Sequence, residues 1–185
     1  MPEARPRVLY GRRRIARRVR ELARAIDRAY RGGAVTLCGV LTGGAIFAAD
    51  LARAMANDRL EIVFVKASSY GDGTVSTGRV EIAVLDEAGI AGKDVLVVED
   101  ILETGRTLEK VVGALRVCGA RSVRSVVLLA KPVGRPPVYR PDWTGFEMEE
   151  DAFVAGYGLD AGRRWRNLPD IVVPPGPARR RGARP

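Results

Sequence analysis

Residues Val97 to Leu108 read VVEDILETGRTL, and the order of side chains in this stretch decides the fold. The apolar run Val95 to Val98 predicts a strand covered on both faces. It delivers two adjacent carboxylates, Glu99 and Asp100, then a third at Glu103. Thr104-Gly105-Arg106-Thr107 follows, and Thr107 to Cys118 predicts a helix ended by Gly119. Glycine lets the backbone approach a ligand closely, while hydroxyls and free N–H groups at a helix start receive phosphate, with Arg106 adding positive charge. Acids beside such a cradle repel an anion, so they suit sugar hydroxyls or a magnesium ion. On spacing alone, the same residues also fit a helix capped by Thr104 or Thr107 behind an acidic turn.

Working outward, Ile15, Val19, Leu22, Ile26 and Tyr30 recur at spacings of three and four, which predicts an amphipathic helix over 12–31 with arginines on its wet side. Ala34 to Leu41 predicts a strand buried on both faces, broken by Thr42-Gly43-Gly44 and followed by a helix over 45–56. Leu60 to Tyr70 and Arg79 to Leu85 read as the two strands of a long hairpin, and the Gly/Ser/Thr-rich 71–78 between them as a mobile loop. Ser122 to Ala130 is another apolar strand, ending beside Lys131. A strand, loop, helix, strand pattern recurs three times in this reading. The fold class is α/β, a central mostly parallel sheet flanked by helices. Ligands in such sheets gather at the carboxyl ends of the strands, here 41–44, 99–107 and Lys131. The expected organisation is one domain over 1–175, with a small hood subdomain formed mainly by 132–173, and a basic, disordered tail over 176–185.

Composition narrows the chemistry. The chain of 185 residues contains no histidine, which removes Ser-His and Cys-His nucleophile pairs and His-liganded metals. Its two cysteines, Cys38 and Cys118, are too few for a disulfide framework and suit small buried hydrophobes. No apolar stretch approaches the roughly 20 residues of a bilayer span, and no secretory signal pattern follows the basic N-terminus. A cytoplasmic location is expected. The formal charge of +9 is concentrated in the arginines of 12–20 and 179–184. Such runs are usually solvated faces, with attraction of polyanions as the alternative.

VVEDILETGRTL resembles the phosphoribosyl-pyrophosphate (PRPP) binding signature of the type I phosphoribosyltransferases. VLTGGAIFAADL (40–51) is similar to that family's pyrophosphate loop, and VKASSYGDGTVSTGRVEI (65–82) to the flexible loop of its hypoxanthine-guanine members. LLAKPVGR (128–135) and DAFVAGYGLDAGRRWRNLPDIVV (151–173) resemble the purine-binding part of the same enzymes. The resemblance implies transfer of a 5-phosphoribosyl group from PRPP to a 6-oxopurine with Mg2+. It implies Glu99 and Asp100 at the ribose hydroxyls or the metal, and Thr104, Gly105, Arg106 and Thr107 at the 5-phosphate. Thr42, Gly43, Gly44 and Arg166 would hold pyrophosphate, in a loop where the family often has a non-proline cis peptide. Ser69 and Tyr70 would belong to a lid. Lys131 would donate to O6, Phe153 would stack on the purine, Val154 would meet its edge, and Asp160 would help place a second magnesium. Glu103 and Lys131 would carry the catalytic roles. Without the family, Lys131 reads as solvated and Phe153 as core.

Two residues depart from the family pattern. Glu103 stands where Asp usually faces purine N7, its extra methylene adding about 1.5 Å of reach, and Thr42 stands where many members have Lys or Arg. The resemblance also implies a homodimer or homotetramer, with no membrane and no nucleic-acid partner. The competing readings are a PRPP-binding regulator acting on nucleic acid through its arginine-rich ends and a xanthine-preferring enzyme.

Overall fold

The computed structural model describes residues 5–69 and 80–175. The elements in chain order are β1 (Arg7–Tyr10), α1 (Arg12–Tyr30), β2 (Val35–Leu41), α2 (Ala45–Ala54), β3 (Leu60–Ser69) and β4 (Val80–Val84), then β5 (Asp94–Leu102), α3 (Arg106–Val117), β6 (Ser122–Ala130), β7 (Trp143–Glu147) and β8 (Ile171–Val173). Six strands form one sheet in the order β4-β3-β2-β5-β6-β7, in which only the β3–β4 pair is antiparallel.

Period-two alternation explains why both faces are covered. Val35 and Leu37 of β2, Leu96 and Val98 of β5, and Val126 and Leu128 of β6 pack with Ile15, Val19, Leu22 and Ile26 of α1 and Phe47 and Leu51 of α2. The intervening Cys38, Val40, Val95, Val97 and Val127 pack with Leu108, Val111, Val112 and Leu115 of α3. Each buried side chain of this size contributes about 1.5–3 kcal/mol, so the sheet's centre is the most strongly held part of the chain. Cys38 is fully buried and its thiol is pushed up to about 12 by burial, whereas Cys118 is only half-buried.

The strand, loop, helix, strand unit occurs twice in the main sheet, as β2-α2-β3 and β5-α3-β6, not three times. The first helix instead follows β1, which pairs antiparallel with β8 in a separate two-stranded sheet. The segment 132–173 is likewise divided: β7 joins the main sheet beside β6, and β8 closes on the N-terminal strand. Among the described residues no helix is long and apolar enough to cross a membrane.

β2 and β5 are neighbours whose crossovers leave in opposite directions, α2 toward β3 on one face and α3 toward β6 on the other. That arrangement leaves a crevice at their carboxyl ends. At the far side, edge strand β7 is tied to α1 by Arg18, whose Nε donates to Gly145 O at 2.7 Å and whose guanidinium also donates to Thr144 O at 2.9 Å. β7 approaches β6 so closely that a Cβ at Gly145 would lie 2.4 Å from Leu128 O. Gly145→Ala is therefore expected to force β7 outward and to destabilise the protein by about 1–3 kcal/mol, the usual range for overpacking. Urea unfolding checks this: an unchanged midpoint would mean that β7 yields freely.

Candidate active site

β5 pairs with β2 only as far as Gly39↔Val98, but on its other side it continues alongside β6 to Leu102↔Ala130. The buried strand thus does not end at Glu99-Asp100; those residues lie within β5, on the part that has lost one neighbour. β2 turns away there through 42–44, and the Leu41–Thr42 peptide is cis. The turn fits against β5 because it lacks side chains. A Cβ at Gly43 would fall 1.8 Å from Asp100 Oδ2, and one at Gly44 would fall 2.8 Å from Val40 O and 2.9 Å from Val98 O.

Glu99 is 7% exposed and its Oε2 has no hydrogen-bond partner. Burial, and then the neighbouring charge of Asp100, push its carboxyl up to about 8. Burial likewise raises Asp100 to about 6, partly offset by backbone N–H groups and Arg166, with Asp160 raising it further. One of those backbone donors is Ile101 N, 3.0 Å from Asp100 Oδ1.

The chain leaves β5 through a turn that begins α3. Gly105 is the N-cap with φ 79°, a left-handed conformation natural to glycine, and no side chain caps the helix. A Cβ there would also meet Tyr139 N and O at 2.9 Å, while Val138 N donates to Thr104 O at 2.9 Å. The 137–139 segment therefore buttresses the turn. The first N–H groups of α3 have no partner within the helix, which makes this end an anion site in the ordinary way.

On the opposite wall, Lys131 follows β6, and its N–H donates to Leu102 O at 2.8 Å. Its Nζ lies 2.8 Å from Asp151 Oδ1 and 3.3 Å from Glu103 Oε1. Burial alone would lower the ammonium pKa, but the Asp151 and Glu103 carboxylates outweigh it and hold the value above that of an ordinary lysine.

The irregular segment 155–168 supplies the third wall. Gly158, at φ 98°, packs so closely that a Cβ would lie 2.2 Å from Gly43 O. Tyr157, Arg163 and Trp165 also have positive φ, a clustering of costly conformations common at functional sites. The segment is held by Tyr157, whose hydroxyl donates to Asp50 Oδ2 at 2.6 Å, and by Gly158 N donating to Arg166 O at 2.9 Å. It presents Arg166, which donates to Asp160 Oδ1 at 2.9 Å and to Gly158 O at 2.5 Å.

These walls enclose a cleft of about 850 Å3. It is lined by Gly43, Glu99, Asp100, Glu103, Thr104, Gly105, Thr107, Lys131, Phe153, Val154, Asp160 and Arg166, all named from the sequence. Thr42 and Arg106 are exposed, Gly44 is buried behind Gly43, and none of the three lines it. Ser69 ends β3, while Tyr70 lies outside the described residues. Asp151 lines the cleft without having been singled out. Its only sequence signal is its place after Glu149-Glu150, where a run of acids reads as a solvated face.

A sheet that opens between β2 and β5 onto buried acids, a glycine-capped helix start and a facing lysine defines the class. The chain belongs to the phosphoribosyl transferase domain family, which matches residues 9–161. It is 41% identical over 167 residues to the hypoxanthine-guanine phosphoribosyltransferase of Bacillus subtilis, covering 90% of this chain and 92% of that protein. It is also 41% identical to the bifunctional protein TilS/HprT of Listeria innocua, over 90% of this chain but only 26% of that longer protein. A crystal structure of a hypoxanthine phosphoribosyltransferase from Staphylococcus aureus superposes with a TM-score of 0.80 at 38% identity, covering 90% of this chain and 89% of the other. Its fold is that of the type I phosphoribosyltransferases.

The raised carboxyls carry a stability signature. Because folded Glu99 titrates near 8, above its ordinary 4.5, the native state binds this proton more tightly than the unfolded chain does. The resulting stability is fully present below about pH 4.5 and is lost as pH rises through about 8. Asp100 contributes a similar loss over the lower window between its ordinary 3.8 and about 6. Ligand-free Glu99→Gln should therefore melt above wild type at pH 8.5, the gap narrowing toward pH 5. Each 1 kcal/mol moves the midpoint by roughly 2–4 °C in a chain of this size. A variant that melts below wild type at pH 8.5 would show that the buried carboxylate is compensated.

Proposed function

We propose that this chain is a purine-salvage enzyme that transfers the 5-phosphoribosyl group of PRPP to hypoxanthine or guanine, giving the nucleoside monophosphate and pyrophosphate. The observation that carries this reading is that the buried acids, the open start of α3 and the Lys131–Glu103 pair share one cleft. A base and a phosphorylated sugar could meet there. The volume lies within the range of about 300–1,000 Å3 typical of small-molecule sites.

In this reading, Thr104, Gly105 and Thr107 bind the 5-phosphate through hydroxyls and N–H groups, with Arg106 adding charge from outside the cleft. Glu99 and Asp100 face the ribose hydroxyls. Thr42 and Gly43 bring main-chain N–H groups to the diphosphate, while Gly44, whose own N–H is given to Val40 O at 3.0 Å, serves by leaving room for the turn. Arg166, whose guanidinium has donors beyond those given to Asp160 and Gly158, pairs with the diphosphate. Phe153 stacks on the purine, Val154 meets its edge, Lys131 donates to O6, and Glu103 manages the proton at N7. Ser69 ends β3, and the lid role that the resemblance implies for Ser69 and Tyr70 would serve to exclude water, Tyr70 itself lying outside the described residues. Breaking the glycosidic bond to pyrophosphate leaves an oxocarbenium-like sugar, so preorganised donors at the leaving group and a managed proton at the base are what the chain must supply.

The donor set suits magnesium. Among the described residues no three His, Cys, Asp or Glu side chains cluster as a closed metal site. Magnesium usually takes one or two carboxylates plus substrate phosphates and waters, and Glu99, with its unpartnered Oε2, Asp100 and Asp160 offer hard oxygens of that kind. When bound, it would neutralise diphosphate charge and improve the leaving group.

Purified protein with PRPP and Mg2+ should convert hypoxanthine and guanine faster than adenine, whose 6-amino group offers Lys131 no good acceptor, and chelation should stop turnover. An absorbance assay with adenine, guanine, hypoxanthine and xanthine decides it. Equal or faster use of adenine sinks the base assignment, and fastest use of xanthine shifts the substrate.

Glu103→Gln should lower kcat by about 10² or more with little change in PRPP affinity, as general-base loss usually does. Glu103→Asp should keep or raise activity. An unimpaired kcat in the Gln variant would remove Glu103 from the chemistry.

A further inference from the structure

We propose that Asp151 is a positioning residue for Lys131, holding the ammonium at the base end of the cleft while Glu103 is engaged with the purine. The inference rests on the reading in which Lys131 donates to a 6-oxo group. Lys131's side chain is only 12% exposed, whereas those of Asp151 and Glu103 are 63% and 52% exposed. The ammonium is therefore the enclosed centre, approached by two exposed acids from different parts of the chain. Glu103 comes from the turn before α3, and Asp151 from the segment after β7, two residues before Phe153.

The two contacts are not equivalent. The 2.8 Å contact to Asp151 is a close charge-assisted hydrogen bond, while the 3.3 Å contact to Glu103 lies at the long end of the range. An ammonium has three N–H donors and no acceptor, so a third donor remains for a ligand. Purine O6 and N7 lie on the same edge of the base. As that edge enters, Glu103 must turn from the ammonium toward the N7 proton, and Lys131 keeps Asp151. Lys131 stays protonated throughout and only donates; no bond is made or broken at Asp151.

Without Asp151, Glu103 would be the lysine's sole carboxylate among the described residues. The donor and the proton-handling group would then be drawn to each other instead of to the base. An exposed carboxylate would thus set how well a buried lysine reads the 6-position.

Steady-state kinetics on Asp151→Asn, Asp151→Glu, Lys131→Met and the Asp151→Asn/Lys131→Met double variant test this, with PRPP affinity measured by calorimetry and folding by thermal melt. Asp151→Asn should lower kcat/KM for hypoxanthine about tenfold, the scale of one charge-assisted hydrogen bond. Its rate with adenine and its PRPP affinity should stay within about twofold, so selectivity for the oxo base narrows, and Asp151→Glu should recover most of the loss. The double variant should be no worse than Lys131→Met, because Asp151 acts through that lysine. Additive losses in the double, equal losses with both bases, lost PRPP affinity, or an unimpaired Asp151→Asn beside an impaired Lys131→Met would each overturn the proposal. If Lys131→Met itself used hypoxanthine normally, the reading of Lys131 would fall first, and this proposal with it.

Discussion

The rest of the site is arranged around two adjacent carboxylates on a central strand, Glu99 buried and Asp100 half-buried. Glu99 and Asp100 sit on β5 just past the point where β2 departs, so the sheet supplies rigidity on one side and an opening on the other. Charge in such a place is costly, and burial accordingly raises both carboxyls, Glu99 to about 8 and Asp100 to about 6, so that a proton on Glu99 lowers the cost. The surrounding backbone is shaped to the same end. Gly43 leaves room for the Asp100 carboxylate, and Gly158 lets the 155–168 segment close over Gly43, which brings Asp160 and Arg166 within electrostatic reach of Asp100.

Charge across the cleft is divided by position. Five acids line it, Glu99, Asp100, Glu103, Asp151 and Asp160, against two described cations, Lys131 and Arg166. Each cation is already paired with an acid: Lys131 with Glu103 and Asp151, and Arg166 with Asp160. The ligand-free cleft therefore stores its donors in internal ion pairs, and binding becomes an exchange of partners. Such donors are oriented before a ligand arrives, so little reorganisation is needed, although the ligand must compete with the ion pairs already formed.

The central strands and helices were legible because their patterns are redundant. β2, β5 and β6 are apolar on both faces, and α1 and α3 repeat apolar residues at helical spacing, so the expected bounds of all but β5 fall within a residue or two of the observed ones, while β5 runs on past Val98 to Leu102 because β6 still pairs with it there. β1, β7 and β8 were not legible. They have three to five residues each, and β7 carries Gly145, whose place in a strand depends on a contact with Leu128 that only the tertiary structure creates. Counting three repeated units instead of two has the same origin, since β1 finds its partner more than 150 residues away, at β8. Most residues carried by motifs line the cleft, though Thr42, Gly44 and Arg106 do not, while Asp151 was not singled out because its place there depends on a contact with Lys131, twenty positions earlier.

Thr42 and the raised acids bear on one question, how a cleft whose charged lining is mostly carboxylate would accept the diphosphate of the proposed reaction. A lysine or arginine in the 42–44 loop would answer it with a fixed positive charge, and this chain has none there. Arg166 is the described guanidinium lining the cleft, and it is already shared with Asp160. In the proposed reaction the remaining attraction would come from the main-chain N–H groups of Thr42 and Gly43 and of the start of α3, which carry partial charge without needing a counter-ion. Burial and the neighbouring Asp100 raise the Glu99 carboxyl to about 8, which favours its neutral form near pH 7 and lessens the repulsion of an anion by the floor of the cleft. A cation that came to rest against Glu99 would have to displace that proton, which couples its binding to pH. In the proposed reaction, burial of the acids would thus offset part of what a basic side chain at 42 would supply, and the depth of β5 in the sheet becomes part of how the site handles charge.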